Sequence, residues 1–154
     1  MSTTRVGIGY DSHRFAEGRR LILGGVEVES DRGLEGHSDA DVVAHAVIDA
    51  VLGAAGLGDL GTHFPPSEER WRDADSLDLL RAVMGEVGGR VSNVDVTVVC
   101  ESPAIGPHRS EMERHLSEVV SAPVNVKATT NEGMGWVGRG EGIAAMAVVT
   151  LDVG

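Results

Sequence analysis

From residue 42 to residue 54 the apolar side chains Val42, Val43, Ala46, Val47, Ala50, Val51 and Ala54 recur at helical spacing. This stretch constrains the fold more than any other, because a helix so patterned packs its apolar face on another layer. Ser38-Asp39-Ala40-Asp41 precedes it as a Ser cap with a carboxylate three positions on. Gly56-Leu57-Gly58 ends it.

The other segments supply that layer. Residues 5–10 alternate around Val6 and Ile8 and read as a strand. Residues 21–23 and 26–28 flank Gly24-Gly25 and read as a hairpin with a tight turn. Residues 29–37 are polar and read as a loop, as do residues 59–74, which include Phe64-Pro65-Pro66 and Trp71. Helical periodicity returns at 76–87 and stops at Gly88-Gly89. Residues 91–100 alternate, with Val94, Val96, Val98 and Cys100 on one face, until Pro103 and Pro107 break the strand. A helix over 109–120, a strand over 124–129, a Gly-rich connection over 133–142 and a strand over 143–153 complete the chain.

The expectation is an α/β fold: one domain over residues 1–154, its mixed sheet covered on one face by helices. Aromatics are only 3% of the residues, so Val, Ala and Leu must fill the core. Val-rich strands on both sides leave the second sheet face in need of cover, which oligomerisation through the sheets would provide.

Charge narrows the function. At a formal −11 the surface repels nucleic acid and anionic membranes, so neither is an expected partner. An anionic substrate would have to be met by metal ions, helix N-termini or single cationic side chains. No run of about 18 apolar residues is present. Residues 1–5 are too short and polar for a secretory signal, which makes the cytoplasm the expected compartment. The single cysteine, Cys100, permits no intrachain disulfide and reads as a buried, inert thiol.

Asp41, His45 and Asp49 are four apart and stack on one helix face. Alone, such a stripe reads as a solvated face. Asp11-Ser12-His13 adds a second reading: in extended chain Asp11 and His13 point to the same side and present an oxygen and a nitrogen ligand together. His45 would be the third ligand, and two His with one carboxylate and an open position is a catalytic zinc arrangement. His37, His63, His108 and His115 show no comparable paired spacing, and His115 reads as a surface residue in mid-helix. Near the C-terminus, Lys127-Ala128-Thr129-Thr130-Asn131-Glu132 and Gly138-Arg139-Gly140-Glu141-Gly142 are either a phosphate-binding loop or an ordinary turn with an Arg–Glu pair.

Taken together, Gly-Tyr-Asp-Ser-His (9–13), His-Ser-Asp-Ala-Asp-Val-Val-Ala-His (37–45), Gly-Leu-Gly-Asp-Leu-Gly (56–61), Asn-Val-Asp-Val-Thr (93–97), Val-Lys-Ala-Thr-Thr-Asn-Glu (126–132) and Gly-Arg-Gly-Glu-Gly (138–142) resemble one family. It is that of the 2-C-methyl-D-erythritol 2,4-cyclodiphosphate synthases of non-mevalonate isoprenoid biosynthesis, and the resemblance runs from about residue 5 to 150. It implies a homotrimer with active sites between subunits, where a cytidine diphosphate substrate closes a cyclic diphosphate and releases CMP. It places zinc on Asp11, His13 and His45. A second divalent ion, Mg2+ or Mn2+, falls at Glu132. His37 and Thr130 become the residues nearest the chemistry, with Ser12, Ser38, Asp59, Leu60, Gly61 and Phe64 on the sugar-phosphate part. Cys100, Ser102, Pro103, Ala104, Ile105, Gly106, Ala128 and Thr129 would form the cytidine pocket. Asn131 and Trp136 would contact the substrate, and Arg139 would lie near the phosphates or the trimer axis.

Three positions depart from the family pattern. Ala104 stands where a Lys is common, Pro66 where an Asp is common, and Gly133 where a Lys is common. The departures remove charged contacts to substrate and leave the metal ligands intact. Two other readings share the residues: a zinc phosphohydrolase with water as nucleophile, and a non-catalytic trimer that binds isoprenoid diphosphates at its apolar centre.

Overall fold

Thr3 pairs with Val153 and Arg14 with Gly142, and every residue between is paired in the same antiparallel register. The computed structural model describes residues 1–154, and this long ladder is its spine. Strand β1 (Thr3–Ala16) leads into a hairpin of β2 (Leu21–Leu23) and β3 (Val26–Val28), then the short β4 (Gly33–Leu34). Helix α1 (Val42–Ala55) is followed by α2 (Leu60–His63), a 3-10 turn (Glu69–Trp71) and α3 (Ser76–Glu86). Then come β5 (Arg90–Val99), a second 3-10 turn (Gly106–His108), α4 (Arg109–Val120), β6 (Val124–Thr129), α5 (Gly135–Gly138) and β7 (Gly142–Val153).

The main sheet has the order β4-β1-β7-β5-β6, antiparallel except for β5 and β6, so it is mixed as expected. Helices α1, α3 and α4 contribute to the core beside the inward residues Val94, Val96, Val98, Val149 and Leu151. The opposite face is bare. Val6, Ile8 and Tyr10 alternate with the buried Gly7 and Gly9, and they remain 65%, 71% and 55% exposed. Met146 and Val148, their register partners on β7, are exposed as well.

Glycine is required where α1 crosses β1. A Cβ on Gly7 would come within 1.9 Å of the Ala50 carbonyl oxygen, and one on Gly9 within 1.9 Å of the Ala46 carbonyl oxygen. Helix and strand backbones therefore touch directly.

Four boundaries differ from the sequence reading, each because tertiary pairing overrides local pattern. Strand β1 continues six residues past Tyr10 to Ala16, because β7 and β4 offer a ladder to its polar end. Residues 33–34 are a strand on that same ladder rather than loop. The cap of α1 is Asp41, which accepts from Ala44 N, and Ser38 is not the cap. Residues 59–74 are not all loop: Asp59 caps α2, accepting from Thr62 N at 2.9 Å. His115 is half-buried, not a plain surface residue, with its ring 3.2 Å from the Gly25 carbonyl.

Candidate metal centre and active site

Extended β1 presents Asp11 and His13 on its helix side, one register step beyond Gly9. The close approach of α1 brings His45 to them. His45 Nδ1 lies 3.0 Å from Asp11 Oδ2, and His13 Nε2 lies 3.1 Å from the same oxygen. The three donor atoms all fall within 4.8 Å of one another.

His13 Nε2 is buried and has no hydrogen-bond partner, the one side-chain polar atom so stranded. Its other nitrogen, Nδ1, is 2.7 Å from the Glu35 carbonyl and donates to it, which leaves the Nε2 lone pair aimed at Asp11 and His45. A stranded lone pair beside a carboxylate oxygen and a second imidazole nitrogen fits a divalent cation. Burial opposes charging these groups, but their mutual contacts outweigh it. Against that burial, the two imidazoles hold the Asp11 carboxyl below its usual value. Asp11 likewise raises His13 despite the burial that would lower it.

The predicted stripe on α1 separates into three roles. Asp41 is fully buried and is no ligand: it accepts from Gly24 N and Gly25 N at 2.8 Å and from Ala44 N at 3.0 Å, tying the hairpin to α1. Burial, with Asp39 nearby, pushes its carboxyl up to about 6. His45 is a ligand candidate. Asp49 accepts from Leu60 N at 2.7 Å and fixes the start of α2. A solvated face is therefore the wrong reading for Asp41 and His45, which are 0% and 5% exposed.

The three metal candidates line a cavity of about 260 Å³ with His37, Ser38, Leu60, Gly61, Phe64, Pro66, Trp71 and Leu79. Phe64 and Trp71 meet edge to face at 4.9 Å and form one apolar wall. Asp59, at the N-terminus of α2, is fully exposed, and its hydrogen bonds from Thr62 lower its carboxyl.

The second group of predicted residues lies elsewhere in the subunit. Cys100, Ala104, Ile105, Gly106, Ala128, Thr129 and Thr130 line a separate cavity with Glu101 and Arg109. Burial raises the Cys100 thiol to about 11, which agrees with an inert thiol. The peptide between Ser102 and Pro103 is cis. Ser12 and Trp136 line a third, shallow depression with Glu141. Asn131 and Glu132 are exposed, and Glu132 has a positive φ of 54°. Arg139 pairs with Glu141 at 2.7 Å, the ordinary turn pairing that was one of the two readings of this segment.

Sequence reasoning did not foresee the role of Glu101, whose carboxylate accepts from Asn131 N at 2.5 Å and Gly133 N at 3.1 Å and so shapes the loop carrying Glu132. It also missed Arg109 and Leu79 as cavity-lining residues, and Ser76, which it saw only as a helix start. No local pattern marks such contacts, because their partners lie far along the chain.

A mixed sheet backed by helices, with an Asp/His/His cluster lining a cavity, defines an α/β protein with a candidate metal site, and comparison supplies the family. Residues 4–152 match the YgbB family, and the chain belongs to it. It is 58% identical over 152 residues to a 2-C-methyl-D-erythritol 2,4-cyclodiphosphate synthase of Symbiobacterium thermophilum, covering 95% of this chain and 97% of that one. It is 60% identical to part of a bifunctional IspD/IspF enzyme of Anaeromyxobacter, covering 95% of this chain but only 39% of that protein. Among solved structures, the bifunctional IspDF of Campylobacter jejuni superposes with a TM-score of 0.95 at 36% identity, over 100% of this chain and 43% of that one. A CDP-bound 2C-methyl-D-erythritol-2,4-cyclodiphosphate synthase superposes with a TM-score of 0.87 at 37% identity, over 96% and 99%. No helix is long and apolar enough to cross a membrane.

Proposed function

We propose that the chain is a phosphorus–oxygen lyase of non-mevalonate isoprenoid biosynthesis. It cyclises 4-diphosphocytidyl-2-C-methyl-D-erythritol 2-phosphate to 2-C-methyl-D-erythritol 2,4-cyclodiphosphate and releases CMP. The observation that carries this reading is the stranded His13 Nε2 beside Asp11 and His45, in the cavity walled by Phe64 and Trp71. The relatives named as synthases support it at 53–58% identity over nearly their full length.

In this reading an oxygen of the 2-phosphate attacks the β-phosphorus, the bond from that phosphorus to the α–β bridging oxygen breaks, and CMP departs with that oxygen. A phosphate monoester has its second pKa near ~6, so the nucleophile is already ionised and needs no general base. Alignment is the main requirement and is worth on the order of 7–11 kcal/mol. Asp11, His13 and His45 would hold zinc, and Glu132 would hold a second ion, Mg2+ or Mn2+, together with substrate phosphates. The bound ions supply Lewis-acid neutralisation of the diphosphate.

The protein side of the mechanism is positional. His37 and Ser38 face the reacting phosphates from the loop before α1, and Thr130 steadies the diphosphate. Asp59, Leu60 and Gly61 at the start of α2 grip the diol. Phe64 and Trp71 exclude water that would otherwise hydrolyse the diphosphate. The cavity at Cys100 and Ile105, with Ala128 and Thr129, takes the cytidine.

The metal cavity and the cytidine cavity share no lining residue. A homotrimer joins them by setting one subunit's cavity against the next subunit's. The exposed Val6, Ile8, Tyr10, Met146 and Val148 support burial of that sheet face between subunits. The reading includes a cytoplasmic location, consistent with one cysteine and no intrachain disulfide.

Phosphorus NMR of the protein with substrate, zinc and magnesium tests the reading. A cyclic diphosphate with equimolar CMP is expected. Release of inorganic phosphate would instead indicate a hydrolase, and no reaction from a metal-loaded trimer would remove the catalytic assignment.

A further inference from the structure

His45 turns one nitrogen to the metal candidates and the other into the core. Nδ1 faces Asp11, whereas Nε2 lies 2.8 Å from Ser76 Oγ and 3.2 Å from Ser38 Oγ. Ser76 is the first residue of α3, is 0% exposed, and makes a short hydrogen bond through Oγ to Asp39 Oδ1. Its backbone N–H also donates to Asp39 Oδ2 at 3.0 Å. Asp39 is itself held: its N–H donates to the Ala74 carbonyl at 3.1 Å, and its Oδ1 accepts from Asp41 N at 3.1 Å.

The direction of these bonds follows from the donor inventory. An ionised carboxylate only accepts, so the Ser76 hydroxyl proton belongs to Asp39. The Ser76 oxygen then offers lone pairs to His45 Nε2, which must carry a proton. By the same rule the Asp11 carboxylate, 3.0 Å from Nδ1, accepts from that nitrogen while no cation is bound, and a bound cation would replace the Nδ1 proton and leave Nε2–H on Ser76. Ser38 Oγ is farther away and no carboxylate fixes its proton, so it does not set the direction.

We propose that Asp39 and Ser76 are positioning residues for His45. They lock it in the Nε2–H tautomer, aim Nδ1 at the metal, and raise its strength as a ligand through a carboxylate–hydroxyl–imidazole chain. The inference rests on the metal reading above. It makes the N-terminus of α3 part of the metal site although no α3 residue is a ligand.

The test is nitrogen-15 NMR of His45 in the zinc-loaded protein, alongside zinc affinity by chelator competition. In the wild-type protein His45 is expected to be the Nε2–H tautomer. Ser76→Ala should mix the tautomers and weaken zinc binding about 10–100-fold. Ser76→Thr, which keeps the hydroxyl, should restore both, and Asp39→Asn should fall between. An Nδ1–H tautomer in the wild-type protein, or unchanged affinity and tautomer in Ser76→Ala, would overturn the proposal. Should Ser76→Ala fail to fold, the wild-type tautomer and Asp39→Asn still decide it. No zinc affinity in a wild-type protein whose metal-free His45 still carries a proton on Nε2 would sink the metal reading and leave the chain of hydrogen bonds standing.

Discussion

A Cβ added to Gly9 would stand 1.9 Å from the backbone oxygen of Ala46. That contact lets α1 lie directly on β1, and the metal candidates depend on it, since Asp11 follows two residues after Gly9 and His45 immediately precedes Ala46. Gly9→Ala should therefore push helix from strand. The expected loss is at or above the top of the about 1–3 kcal/mol range of core overpacking. Urea unfolding gives the stability, and zinc affinity should fall with it. A variant of wild-type stability would show that the helix can give way freely.

His45→Ala removes one of three ligands from an otherwise intact cavity. The folded oligomer should remain, while zinc retention and turnover are lost. Metal analysis after gel filtration checks both, and full activity in a metal-free variant would remove His45 from the site.

The metal-free site should also show in pH dependence. His13 is raised from 6.5, so its contribution to stability is fully present below 6.5 and is lost as pH rises through the higher folded value. Asp11 is lowered from 3.8, so its contribution is present above 3.8 and lost as pH falls through the lower folded value. Zinc must displace the His13 proton, so affinity should climb as pH rises through the raised His13 value, with proton release. Calorimetry in buffers of different ionisation heat measures this, and a flat profile would contradict it.

Asp41 is structural. Asp41→Ala strands the N–H groups of Gly24, Gly25 and Ala44 and should cost about 2–5 kcal/mol in chemical unfolding. Its carboxyl is raised from 3.8 to about 6, so its protonated form contributes stability that is fully present below 3.8 and lost as pH rises through about 6. Asp41→Asn should lack that part of the pH slope.

The bare sheet face predicts assembly. Ile8→Lys puts a charge among Val6, Tyr10, Met146 and Val148, and light scattering should show the oligomer shifted towards monomer with the subunit still folded. An unchanged assembly would place the interface elsewhere.

Much of this protein was legible in its sequence. Val94, Val96, Val98 and Cys100 alternate and are all buried, and the helix at Arg109–Val120 has the bounds its periodicity marks. The spacing of Asp11 and His13, with His45 on the next helix, named the metal candidates. Local period tells which face of an element a residue occupies, and that is enough for such assignments. It does not tell what stands across the gap. Asp41 and His45 share one helix face, yet one caps a hairpin turn and the other meets Asp11 from 34 residues away. The polar end of β1 is strand only because β7 runs beside it, and Ser76 matters only because α3 ends its approach against His45. Those roles are set by which backbones come close enough to exchange hydrogen bonds, and the Gly7 and Gly9 contacts of α1 with β1 made that choice.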